Sequence, residues 1–318
     1  MNRRVAAVDC GTNSIRLLIA DVDPATATTP AILTDVDRRM EIVRLGQGVD
    51  TTGRLAPEAL DRTLKALSGY AALIVGRGAE AVRMVATSAT RDAANADEFV
   101  GRVTEILGTG PEVLSGDEEA RLSFLGATAE LGPQVPSPYL VVDIGGGSTE
   151  FVLGTGGEVA SALSVNIGCV RMTERHLRDD PPPAAQVTAA TTDIDAAIAR
   201  AAAVVDATQA RTLVGLAGSV TTVAGIVLDL PGYDAERLHH AQLSAAQVHE
   251  VTTRLLNQTR AERARIPVMH PGRIDVIGAG ALILDRIMTR LGFAEVLVSE
   301  HDILDGIAWS IATPDPSR

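Results

Sequence analysis

The chain has 318 residues, enough for two domains on the usual length scale, and 46% of them are apolar, enough to bury a core in each. A formal charge of −12 argues against a generally basic surface for nucleic acid, and 3% aromatic residues leave few rings for bases to stack on. Two cysteines, Cys10 and Cys169, make no disulfide framework. No signal peptide is expected, and the longest uncharged stretch, Thr212 to Leu228, is too short and too rich in Gly, Ser and Thr for a membrane span, so a cytoplasmic protein is expected.

Val5 to Val8 and Ile15 to Val22 read as a first hairpin, followed by a polar Pro/Thr loop over 23–30 and a bent third strand, Ile32 to Leu45. Apolar spacing then predicts a helix over Ala56 to Val75 with Pro57 in its first turn. Ala81 to Ala86 is a strand and Asp97 to Leu107 a helix with Asn95 as its expected cap. After a short strand at Glu112 to Ser115, Ser115 and Glu118 have the spacing of a capping box for a helix running to about Leu131.

A second hairpin, Tyr139 to Leu153, and a strand, Val159 to Val165, follow. Helices are predicted over Val170 to Leu177 and Ala184 to Thr208, then a strand at Thr212 to Leu216 that turns at Ala217-Gly218-Ser219 into a helix ending at Leu228. His239 to Arg265 reads as helical and Ile274 to Met288 as a buried helix, before a last strand at Glu295 to Val298 and a last helix at Ile303 to Ile311. Three strands followed by strands alternating with helices describe an α/β fold with mixed sheets.

The two hairpins match each other without a gap. Asp9 falls on Asp143, Gly11 on Gly145 and Ser14 on Ser148, whereas Arg16 falls on Glu150. A repeated strand–turn–strand unit argues for two related domains. Each turn, Gly11-Thr12-Asn13-Ser14 and Gly145-Gly146-Gly147-Ser148, can present successive backbone N–H groups to an anion. Asp143 and Glu150 lie across the second turn, and their hard oxygens suit Mg²⁺.

Other candidates are more ambiguous. Gly218 and Ser219 open a helix whose N-terminus either binds an anion or is simply a tight connection. Arg91 either clamps a phosphate or is a solvated arginine. Glu118 is accounted for by the capping box; its neighbour Glu119 is either another first-turn acid or a carboxylate that orients and deprotonates a water. His270 and Arg273 flank a Pro-Gly turn that extends a basic track, and His239 and His240 show no metal-ligand spacing and are read as surface.

Asp-Cys-Gly-Thr-Asn-Ser at 9–14, Ala-Thr-Ser-Ala-Thr-Arg at 86–91, Ser-Gly-Asp-Glu-Glu-Ala-Arg at 115–121 and Asp-Ile-Gly-Gly-Gly-Ser-Thr-Glu at 143–150 resemble the exopolyphosphatase/guanosine-pentaphosphate phosphatase family, with Gly-Leu-Ala-Gly-Ser-Val-Thr-Thr at 215–222 similar to a further phosphate-side motif. The resemblance implies two ribonuclease-H-like domains of the actin/sugar-kinase/chaperone superfamily with the active site in the cleft between them. The expected division is 1–125 plus 299–318, and 126–298. It also implies a short, two-domain family member and a homodimer.

By position in the motifs, Glu119 resembles the catalytic carboxylate, Arg91 the phosphate-binding arginine, Asp143 and Glu150 the metal-side acids, and the two turns the phosphate loops. The expected activity is removal of the terminal phosphate of polyphosphate with Mg²⁺ or another divalent cation. Guanosine pentaphosphate is the alternative substrate, and an actin-like or sugar-kinase-type ATP-binding protein the remoter one.

Overall fold

A computed structural model describes residues 3–23, 32–156 and 158–312. The chain runs β1 (Arg3–Cys10), β2 (Ser14–Asp23), β3 (Ile32–Ile42), α1 (Val49–Thr52), α2 (Pro57–Gly76), β4 (Ala81–Ala86), α3 (Ser88–Arg91), α4 (Ala96–Leu107), β5 (Glu112–Val113) and α5 (Gly116–Thr128). It continues β6 (Tyr139–Ile144), β7 (Thr149–Thr155), β8 (Glu158–Val165), α6 (Cys169–Arg175), α7 (Ala184–Ala202), β9 (Thr212–Leu216), α8 (Ala217–Val227) and α9 (Ala235–Leu238). Last come β10 (Gln242–Ser244), α10 (Ala245–Asn257), α11 (Arg260–Arg263), α12 (Ile277–Leu291), β11 (Glu295–Val298) and α13 (Ile303–Ala312). The polar loop expected from residue 24 onward and the residues beyond 312 lie outside the described residues. Two compact units result, Met1–Gly126 with Ile303–Arg318, and Ala127–Asp302.

The first unit holds a sheet of order β3-β2-β1-β4-β5, antiparallel through its first three strands and parallel through β1, β4 and β5. Its strands alternate between two cores, as the two-residue period of a strand requires. Ala6, Val8, Cys10, Leu17 and Ile19 face a core closed by α2 and α4, where Tyr70 and Phe99 are buried. Val5, Ala7, Leu18 and Ala20 face a core closed by Leu304 and Ile307 of α13. Both faces are covered, which is why β1 reads as an almost unbroken apolar run. Gly306 of α13 is required by packing: a Cβ there would lie 2.0 Å from the Leu122 carbonyl oxygen of α5.

The second unit repeats the plan. Its sheet order is β10-β11-β9-β6-β7-β8, so β8-β7-β6-β9-β11 reproduces β3-β2-β1-β4-β5 strand for strand with β10 added at the edge. This is the ribonuclease-H-like arrangement, present twice. Leu140, Val142, Ile144 and Phe151 pack with α7, α8, α10 and α12 into one large core.

Local chemistry explains most element boundaries. Ser115 and Glu118 make the expected capping box: Ser115 N–H and Oγ each donate to Glu118 Oε2 (3.2 and 3.0 Å), and Glu118 N–H donates to Ser115 Oγ (3.2 Å). Asn95 instead makes no side-chain cap; its amide accepts from Leu55 N–H and donates to Leu55 C=O, tying α4 to the start of α2. The helix expected over 239–265 is broken into β10, α10 and α11. Capping boxes at Ser244/Gln247 and Thr259/Glu262 start α10 and α11, and β10 pairs with β11. The Arg-rich end of that stretch is tied down, because Arg263 is buried against Asp180 at 2.9 Å.

Candidate active site

In both units the candidate groups emerge at the carboxyl ends of the parallel strands, where open α/β sheets bind their ligands. The two glycine turns follow β1 and β6 and superimpose in their bonding. Gly11 N–H donates to Ser14 O at 2.9 Å and Gly145 N–H to Ser148 O at 3.1 Å, so the first glycine closes each turn.

The other carbonyls of each turn are held by the segment that follows the third strand. In the first unit, Gly46 N–H donates to Thr12 O, and the N–H groups of Val43 and Arg44 donate to Asn13 O. In the second, Cys169 N–H donates to Gly145 O, Val170 and Arg171 N–H to Gly146 O, and Arg171 Nε to Gly147 O at 2.7 Å. A trans peptide sets each N–H opposite the preceding C=O. Pinning these carbonyls therefore turns the N–H groups of Asn13 and Ser14, and of Gly146, Gly147 and Ser148, to the opposite side.

The pinning segment lies close to each turn, and at Gly168, where the neighbours are backbone atoms, it needs glycine. A Cβ on Gly168 would fall 2.3–2.5 Å from the backbone of Gly146 and Gly147, and one on Gly46 would fall 2.3 Å from Thr12 Cγ2. Thr12 Oγ1 also lies 3.1 Å from Ser88 Oγ, joining the first turn to α3. Arg171 had no motif around it in the sequence; only the fold shows that it holds the second turn.

Asp143 and Glu150 are direct cross-strand partners on β6 and β7, and so share one face of the sheet. They are 7% and 1% exposed, and Glu150 Oε1 accepts from Ser164 Oγ at 2.6 Å. Two carboxylates directly opposite repel, and a cation shared between them offsets that repulsion. An all-oxygen donor pair of this kind fits a hard divalent ion. The corresponding pair in the first unit is Asp9 and Arg16, also cross-strand partners. There Arg16 Nε and Nη2 both donate to Asp9 Oδ2, at 3.0 and 2.7 Å, an internal ion pair in place of an acid pair.

Arg91 ends α3 and Glu119 sits in the first turn of α5, and the fold brings them together: Arg91 Nη1 donates to Glu119 Oε2 at 3.0 Å and to Leu114 O at 2.8 Å. Glu119 is 8% exposed. Gly218 and Ser219 open α8 after Ala217, which takes the left-handed φ of 66°. Glycine at 218 leaves room for the guanidinium of Arg273, which would lie 1.5–1.8 Å from a Cβ there and would have to move for any larger residue. Arg273 thus lies flat against the start of α8. Cys169, buried beside Ser219, has its thiol pKa pushed up by burial, with Arg273 acting in the other direction.

His239 and His240, read as surface from sequence, are half-buried and stacked, with ring centroids 3.7 Å apart. Burial first, then His240 and His301, lowers His239 to about 4, so its ring is neutral at neutral pH.

The Ppx/GppA phosphatase family pattern matches residues 18–313. The chain belongs to the Ppx/GppA phosphatase family. Exopolyphosphatase 2 of Mycobacterium tuberculosis H37Rv is 50% identical to it over 97% of this chain and 98% of its own. A crystal structure of an exopolyphosphatase-like protein superimposes with a TM-score of 0.93 at 44% identity, covering 98% of each chain. The Aquifex aeolicus PPX-GPPA enzyme gives 0.80 at 31% identity, covering 98% of this chain and all of that one. The Ppx/GppA motifs quoted from the sequence fall on the two glycine turns, on α3, on the first turn of α5 and on the start of α8.

Proposed function

We propose that this Ppx/GppA protein is an exopolyphosphatase that hydrolyses the terminal phosphoanhydride bond of inorganic polyphosphate. Water adds to the terminal phosphorus, the bridging P–O bond breaks, and orthophosphate leaves with a chain one unit shorter. The substrate is supported by the half-identical M. tuberculosis relative. The chemistry is carried by one observation, the doubled turn whose carbonyls are pinned and whose amides face away.

Phosphoryl transfer asks mainly for positioning and charge stabilisation. In the first unit, the amides of Asn13 and Ser14 bind phosphate oxygens. Arg91 commits Nη1 to Leu114 and Glu119, so its Nε and Nη2 are the donors for phosphate. That same ion pair orients Glu119, which aligns the attacking water and accepts its proton. In the second unit the amides of Gly146, Gly147 and Ser148 and the start of α8 at Gly218 and Ser219 bind oxyanion charge. Asp143 and Glu150 would hold Mg²⁺ or a similar ion, which supplies neutralisation of the phosphate oxygens when bound. The cytoplasmic location and homodimer implied by the resemblance are part of the same proposal; among the described residues no helix is long and apolar enough to cross a membrane.

The test is phosphate release by the purified protein with Mg²⁺ from polyphosphates of graded length and from guanosine pentaphosphate. The expected result is orthophosphate from polyphosphate, with Glu119→Gln reducing kcat by about 10²–10⁴-fold and leaving polyphosphate binding in place. Release from guanosine pentaphosphate alone would replace the substrate, and near-wild-type kcat in Glu119→Gln would remove Glu119 from the mechanism.

A further inference from the structure

Within the second unit, three segments distant in sequence place ligand-bearing side chains together. Glu130 follows α5, His239 follows α9, and His301 follows β11. One ligand atom from each lies within 4.8 Å of the others. His301 Nδ1 is 3.2 Å from Glu130 Oε2, and the rings of His239 and His301 are 4.6 Å apart, centroid to centroid.

Hydrogen bonds fix the main chain at His301 and one ring nitrogen of His239. His301 N–H donates to Ser299 Oγ at 3.1 Å, and Ser299 Oγ donates back to His301 O at 2.7 Å. His239 Nδ1 accepts from Glu300 N–H at 3.2 Å, and its ring is stacked on His240. His240 in turn sits at the left-handed φ of 62°, with its N–H on Val298 O at 2.7 Å. A left-handed non-glycine residue at this corner costs conformational energy, and such positions cluster at functional sites.

We propose that Glu130, His239 and His301 form a binding site for a borderline transition-metal ion of the Zn²⁺ or Co²⁺ class, distinct in its residues and in its chemistry from the carboxylate pair Asp143 and Glu150. Two imidazoles and one carboxylate are the donor set that such ions select, whereas Mg²⁺ prefers oxygen alone. Bonds of about 2.1 Å to a tetrahedral ion separate two ligand atoms by roughly 3.4 Å. The present 3.2 Å between His301 and Glu130 is already close to that edge. Metal binding replaces the proton that now bridges those two groups. If His239 binds through Nε2, its ring proton moves to Nδ1 and the 3.2 Å bond from Glu300 N–H is given up.

Both histidines are half-buried and Glu130 is exposed, so the ion can enter from solvent and keep a water ligand. Glu130 and His301 lie within a few residues of the two points, 126/127 and 302/303, where the chain passes between its units. A bound ion therefore links, inside the second unit, the incoming and outgoing connections.

The probe is Co²⁺ added to the full chain in the presence of saturating Mg²⁺, read by visible d–d absorption and by calorimetry, with Zn²⁺ as competitor. The expected result is one Co²⁺ per chain with the strong bands of a low-coordinate nitrogen-containing site, displaced by Zn²⁺, and a Zn²⁺-dependent rise in thermal midpoint. His239→Asn with His301→Asn abolishes the bands. Glu130→Gln, an exposed and conservative change that leaves the packing alone, weakens binding by roughly tenfold or more. Asp143→Asn leaves the bands in place. The proposal fails if no stoichiometric Co²⁺ binds over Mg²⁺, if Glu130→Gln binds as wild type, or if the bands follow Asp143 rather than the histidines.

Discussion

Replacing Gly168 by alanine tests whether the second turn is aimed by its neighbour. The residue has φ −137° and ψ 163°, extended values open to any residue, so the substitution carries no backbone strain. Its whole effect is steric. The added Cβ would sit 2.3 Å from Gly146 O, 2.4 Å from Gly146 C and 2.5 Å from Gly147 N, all backbone atoms. Normal carbon contacts are about 3.5 Å, so turn and helix start must part by about 1 Å. That displacement strains the bonds from Cys169, Val170 and Arg171 to the turn carbonyls. Overpacking of this size costs about 1–3 kcal/mol, and a 1 Å misplacement of binding groups can cost about 100-fold in rate.

Gly46→Ala in the first unit is the control, since its Cβ meets the Thr12 methyl at 2.3 Å, a side-chain end, with Ala89 Cβ at 3.0 Å and Thr12 Cβ at 3.2 Å, so Thr12→Ala removes the closest contact and leaves the two milder ones. Steady-state phosphate release and thermal unfolding on the same preparations should show a fall of about 100-fold in kcat/KM for Gly168→Ala and a smaller loss for Gly46→Ala that Thr12→Ala partly rescues. Gly168→Ala with kcat/KM within twofold of wild type would refute the idea that the pinned carbonyls position the amides.

Gly306→Ala drives a Cβ to 2.0 Å from Leu122 O and should cost about 1–3 kcal/mol by denaturant unfolding, whereas Gly101→Ala in α4 meets nothing within 4 Å and should gain about 0.5–1 kcal/mol. His239, lowered to about 4 by burial and then by its histidine neighbours, binds a proton more weakly folded than unfolded. With EDTA present, stability should therefore fall as pH drops from about 6.5 toward 4, and less steeply in His239→Gln by thermal melts across that range; equal slopes would contradict the assignment. Arg16→Glu should destabilise the first unit by about 1–3 kcal/mol in denaturant unfolding, because it breaks a partly buried ion pair and sets like charges face to face, and added Mg²⁺ should raise the variant's melting temperature no more than that of the wild type.

The sequence revealed what is encoded locally. Both hairpins could be read because a Gly-rich turn between apolar runs has few alternatives, and the gapless match of Asp9 with Asp143 and Gly11 with Gly145 is repeated bond for bond in the closing hydrogen bonds. The capping box at Ser115 was equally legible, its two partners being three residues apart. Nonlocal pairings were not. The three-residue strand β10 is defined by its partner β11, about fifty residues further on, and its sequence alone passes for helix. Asn95 has a cap's identity and uses its amide on Leu55 instead. Arg171 and the Glu130–His239–His301 cluster carry no spacing signal, because three chain segments meet only once the sheet is built.

The two units share one strand order and differ in charge at the register position beside each glycine turn, and the proposed division of chemistry rests on that difference. In the first, the row across the sheet reads Asp9, Arg16, Met40. The aspartate's charge is answered within the protein, and the thioether beyond it could not orient a second acid. In the second, the same row reads Asp143, Glu150, Ser164, and the serine hydroxyl holds the glutamate at 2.6 Å. An arginine in the row supplies positive charge permanently, whereas in the proposed mechanism the acid pair of the second unit shares a dissociable ion. On the proposed mechanism, both turns bind oxyanions, and the side chains next to them give only the second an acid pair to offer a metal. Arg16 and Met40 must change together to copy that capacity into the first unit, since glutamate at 16 without a hydroxyl at 40 has no second-strand partner to fix its carboxylate.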